Sequence, residues 1–82
     1  MSLNQHDEVR SQIIAAVSAT APDVADEIGS IGEDVDLFEE FDLDSMDRLS
    51  VMTALVAATG VDIPDGEYPR LTTMNRLLAY LS

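Results

Sequence analysis

From Met46 to Ala58 the chain is apolar at nearly every turn, with Met46, Leu49, Val51, Met52, Ala54, Leu55, Val56, Ala57 and Ala58 spread over a 13-residue span. No strand-like alternation runs through it, and the span exceeds an ordinary strand, so it reads as a helix from about 45 to 59. Gly60, able to take a left-handed conformation, is its stop. Asp44 or Ser45 is its cap, because a short oxygen-bearing side chain ahead of an apolar run satisfies first-turn N–H groups. An apolar set that wide cannot all face one core, so part of the helix is expected at the surface.

Around this helix the rest of the chain arranges itself as other helices. Val9, Ile13, Ala16 and Val17 recur at helical spacing, which predicts a first amphipathic helix over about 4–20, stopped by Pro22. Residues 21–44 form a long connection, with a short helix expected near Asp23 to Ile28; its scattered apolar residues Ile28, Ile31, Val35, Leu37, Phe38 and Phe41 would have to pin it across the core. After Gly60, Asp62-Ile63-Pro64-Asp65-Gly66 reads as a turn. A helical turn over about 66–70 follows, and then a last helix over about 73–81 capped by Thr73. The expected fold is therefore all-α: a small bundle of three main helices plus one short helix, with a long loop between the first two, in one domain spanning 1–82.

Charge narrows the partners. Sixteen acidic residues stand against four arginines and no lysine, a net charge of −12, so nucleic acid and anionic membrane surfaces are disfavoured and a monomer is favoured. Eight of the acids (Glu33, Asp34, Asp36, Glu39, Glu40, Asp42, Asp44 and Asp47) fall in a window without a basic residue; its natural complement is a basic docking face on another protein. There is no cysteine, which removes disulfides, thiolate metal sites and any encoded thiol. Neither a basic-led signal region nor an apolar run of about 18 residues is present, so a soluble cytoplasmic protein is expected.

Ser45, between Asp44 and Asp47 at a helix start, is the residue of most chemical interest. Unpaired first-turn N–H groups and the helix dipole make that position hospitable to a phosphate ester. Leu43-Asp44-Ser45-Met46 resembles the phosphopantetheine attachment site of acyl carrier proteins, and Ile63-Pro64-Asp65 and Leu71-Thr72-Thr73-Met74 match that family's sequence further on. The likeness covers about 35–81. It implies 4'-phosphopantetheine attached covalently to Ser45, Asp44 helping a phosphopantetheinyl transferase to recognise the site, and an acyl group carried as a thioester to acyl-loading and acyl-processing enzymes with basic docking faces, the chain itself catalysing nothing. Fatty-acid, polyketide and specialised lipid pathways all fit that description. Where the family usually carries glutamates on the second helix, this chain has Ser50, Val56, Ala57 and Ala58. Docking is therefore expected through Asp42, Asp47 and an apolar face containing Met46, Leu49 and Val56.

Other readings compete. An aminoacyl or peptidyl carrier would share the attachment chemistry, and a helical interaction module would leave Ser45 as a plain cap. Phe41-Asp42-Leu43-Asp44 is similar to the nucleophile motif of haloacid-dehalogenase-type phosphatases, but the apolar strand before it, a lysine and sufficient length are missing. An EF-hand begun at Asp42 fails at Asp47, where glycine is needed, and at Thr53, where a bidentate glutamate is needed; no metal site is expected. His6 reads as a solvated terminal residue, Met52 and Met74 as core filler, and Arg10, Arg48, Arg70 and Arg76 as solvated or in weak surface ion pairs.

Overall fold

Helix formation in this chain follows the apolar spacing and the caps. The computed structural model describes residues 5–82, with side chains from Asp7 onward; the expected helix start at Asn4 and the side chain of His6 lie outside the described residues. Among the described residues five α-helices follow one another: α1 (Gln5–Thr20), α2 (Ala25–Ile28), α3 (Leu37–Glu40), α4 (Ser45–Thr59) and α5 (Met74–Leu81). Two 3₁₀ segments, Pro22–Val24 and Asp65–Arg70, complete the order. The fold is all-α, and among the described residues the one β-type pairing is an isolated bridge between Asp36 and Thr73.

Each long helix contributes one face to a single core. α1 supplies Val9, Ile13, Ala16 and Val17, α4 supplies Val51, Met52 and Leu55, and α5 supplies Met74, Leu77, Leu78 and Leu81. Their spacing of three and four residues is the helical period, which puts each set on one side. α1 packs chiefly against α4 and also against α2 and α5. The Cα radius of gyration, 11.7 Å, equals the ~12 Å of a well-packed chain of this length.

The long connection between α1 and α4 is held down rather than looped out. Ile28, Leu37 and Phe38 are buried, and Ile31 and Phe41 pack against the core from its edge. Backbone bonds tie it to the start of α5: Leu37 N–H donates to Thr72 O (2.8 Å) and Asn75 N–H to Glu33 O (3.0 Å). Asn75 Nδ2 also donates to Asp34 (2.7 Å), and Arg10 pairs with Glu33. α3, at four residues, is a turn that no periodicity in the sequence signals. Asp36 caps it by accepting from Phe38 N–H and Glu39 N–H, both at 3.0 Å, and burial of Leu37 and Phe38 holds it in place.

The ends of the longer helices have definite causes. α4 stops where Gly60 adopts φ +74° and closes on Val56 O, a left-handed cap available to glycine at little cost. α5 begins at Thr73, whose hydroxyl accepts from Arg76 N–H at 3.1 Å.

Candidate functional site

The site is the start of α4 and the turn that feeds it. After α3 the chain reverses through Asp42, which sits at φ +54°, a left-handed conformation that Asp tolerates better than most residues. Leu43 N–H then donates to Phe38 O at 2.7 Å, bringing Asp44 to the head of the helix.

Asp44 is the N-cap. Its carboxylate accepts from Asp47 N–H at 2.9 Å, and Asp47 reaches back to Asp44 N–H at 3.4 Å, a reciprocal capping box. Between Asp44 and Ser45 the geometry decides which residue caps the helix, and it frees the serine. Ser45, the first residue of α4, is exposed. Among the described residues its hydroxyl has no partner in the chain. The N–H groups of Ser45 and Met46 are also without protein acceptors, since the cap takes Asp47 N–H and the first helical bond, to Asp44 O, comes from Arg48 N–H.

The residues expected at a docking surface fall in three places. Leu49 and Val56 lie on the Ser45 stripe of α4, four and eleven residues on, within about 40° of it at 100° per residue. Leu49 is 50% exposed, while Val56 is half-buried against the core. Met46 is rotated about 100° from Ser45 and is 74% exposed, the most exposed large apolar side chain described. Asp42 is exposed on the preceding turn, and Asp47 is half-buried, its carboxylate occupied by the cap.

Arg48 corrects one sequence expectation. Rather than being solvated or ion-paired, its guanidinium lies over the Phe38 ring, 4.8 Å from the centroid, within cation–π range. Its Nε is buried without an acceptor. Ion pairs do form at Arg10–Glu33 and Arg70–Glu67, and Arg76 donates to Arg70 O. No local pattern signals the Arg48 stack, because Phe38 and Arg48 belong to different helices joined by the Asp42 turn.

Among the described residues no three of His, Cys, Asp and Glu converge as metal ligands, so the eight clustered acids do not form a cage. No described helix is long and apolar enough to cross a membrane.

Comparison with known families matches residues 12–81 to the family described as "Phosphopantetheine attachment site". The chain belongs to that family. Its members are carrier domains that hold 4'-phosphopantetheine covalently on a serine and interact with a phosphopantetheinyl transferase and with partner enzymes. The cysteine-free chain encodes no thiol of its own. No curated protein and no solved structure is a significant match to the chain.

Proposed function

We propose that Ser45 is the attachment serine and that the chain is an acyl carrier, presenting acyl thioesters to enzymes that dock on the acidic turn and the exposed stripe of α4. The observation that carries this reading is the division of labour at the helix start. Asp44 does the capping, so Ser45 Oγ is exposed, unbonded and beside two unpaired N–H groups.

Of the seven serines in the sequence, Ser11 and Ser18 lie within α1, Ser30 donates to Glu27 O, Ser50 lies inside α4, and Ser2 and Ser82 are terminal. Among the serines of the described residues, Ser45 alone pairs exposure with the first turn of a long helix, where an ester phosphate gains from the dipole. In the loading reaction Ser45 Oγ forms an O–P bond with the phosphopantetheine phosphorus as the phosphoanhydride bond of coenzyme A breaks; adenosine bisphosphate is the leaving group, and the serine proton passes through the transferase to solvent. Asp44, whose carboxylate is exposed, marks the site for the transferase. The attached arm supplies a thiol, on which cargo rides as a thioester; the chain itself contributes presentation and no catalysis.

Acyl rather than aminoacyl or peptidyl cargo is favoured by the strongly negative surface, which suits basic docking faces. Asp42 and the exposed Met46 and Leu49 are the docking contacts, with Val56 at the edge.

The test is incubation of the protein with coenzyme A and a broad-specificity phosphopantetheinyl transferase, followed by intact mass measurement. The expected result is a gain of one phosphopantetheinyl group in the native chain and none in Ser45→Ala. No gain, or an equal gain in Ser45→Ala, defeats the reading. Competition between acyl-loading and adenylating enzymes for the loaded protein then reads out the cargo class, and preference for an aminoacyl adenylate would overturn the acyl assignment.

A further inference from the structure

Arg48 has no assigned role in attachment or docking, yet its placement is unusual. It is the only basic residue between Arg10 and Arg70, directly after a window of eight acids, and among the described residues it pairs with none of them. The face of its guanidinium is taken up by the Phe38 ring. Nε is sealed, whereas the two terminal nitrogens are not among the buried unpaired atoms and make no hydrogen bond within the described chain. Stacking occupies only the face of a guanidinium, so the in-plane donors remain available.

Ser45 and Arg48 are three residues apart on α4 and so are neighbours on the helix surface. A long helical side chain leans back over the turn N-terminal to its own Cα; for Arg48 that turn is Asp44–Ser45. We propose that Arg48 is a positioning residue for the phosphodiester formed on Ser45, its terminal N–H donors offsetting the surrounding negative charge and restraining the root of the arm while Phe38 holds the guanidinium in place. This rests on Ser45 being the attachment serine. A phosphodiester keeps one negative charge at neutral pH, and among so many carboxylates a fixed cation one turn away is its natural counter-charge.

The test compares unloaded and loaded forms of the full chain, loading being verified by intact mass, in the native sequence and in Arg48→Gln and Arg48→Lys. Thermal midpoints and the ³¹P resonance of the ester are the readouts. A merely structural Arg48 would lower the unloaded and loaded midpoints equally. A positioning Arg48 makes the change in midpoint on loading less favourable in Arg48→Gln by about 2–4 °C, the effect of one partly exposed charge pair in a domain this small. Arg48→Lys restores part of it, the ³¹P resonance of Arg48→Gln differs from native, and the difference shrinks at about 1 M salt. Equal loading increments with an unmoved ³¹P resonance overturn the proposal while leaving Ser45 attachment intact; failure of the native chain to load removes both. Should Arg48→Gln not fold, the Arg48 Nε–H and Nη–H resonances of the native chain decide, since they must shift between unloaded and loaded forms, and unchanged resonances refute the proposal.

Discussion

Replacing Asp44 with alanine separates the two functions placed side by side at the head of α4. The substitution removes the acceptor for Asp47 N–H (2.9 Å) and leaves the 3.4 Å return bond from Asp47 unreciprocated. Loss of an N-cap of this kind costs about 1 kcal/mol, within a range of roughly 0.5–2. Relief of repulsion among exposed acids returns only a few tenths. For a domain of this size the net loss of about 0.7 kcal/mol lowers the midpoint by about 3–6 °C. Asp44→Asn, which keeps a capping oxygen, should stay within a few tenths of a kcal/mol of native. Ser45→Ala should leave the midpoint unchanged or raise it slightly, because the hydroxyl bonds nothing and alanine is the better helix former by up to about 0.5 kcal/mol. Thermal unfolding followed by far-ultraviolet circular dichroism, in phosphate-free buffer so that no free anion occupies the helix start, measures all three. A Ser45→Ala loss as large as that of Asp44→Ala, or an Asp44→Ala variant as stable as native, refutes the assignment of the cap to Asp44 and returns Ser45 to a structural role.

Further consequences can be measured in the same protein. Leu55→Ala, at a site with no solvent exposure, should cost about 2–5 kcal/mol by urea titration, enough to unfold much of the population of a domain this small. Gly60→Ala should cost about 1–2 kcal/mol although a new Cβ meets nothing within 4 Å, because the whole penalty comes from φ +74°; Gly29→Ala, equally open and at φ −72°, should instead gain about 0.4–1 kcal/mol. Met46→Ala should leave the midpoint within about 0.5 kcal/mol of native, as expected of an exposed side chain, while slowing acyl transfer from the loaded protein to its partner enzymes in a stopped-flow or gel-shift assay. Raising salt should slow association with those enzymes, since the acidic turn acts at a distance that ions screen.

What was legible in the sequence lay in single residues with strong local preferences and in long periodic runs. Val9, Ile13, Ala16 and Val17 are spaced for one helix face, and they are buried together. Gly60 and Thr73 each carry a local conformational or hydrogen-bonding reason to end or begin a helix. The turn α3 was not readable, because four residues hold barely one period and its stability comes from Asp36 and from tertiary burial of Leu37 and Phe38. At the site, the presence of Asp and Ser at a helix start could be read, but the choice of cap between them depends on backbone geometry, which places Asp44 in the extended region and Ser45 already in the helix. Arg48 reads from the sequence as a surface charge, because its partner is an aromatic ring ten positions earlier, reached only through the left-handed turn at Asp42.

The most direct measurement is localisation of the added group by tandem mass spectrometry after loading. Cleavage at arginine yields a peptide from Ser11 to Arg48 containing Ser11, Ser18, Ser30 and Ser45, so fragment ions must distinguish among four hydroxyl groups of one residue type. Fragments that place the phosphopantetheinyl mass on Ser45 are the predicted result. The same mass on Ser11, Ser18 or Ser30, or on the separate peptide carrying Ser50, would contradict the account at its centre.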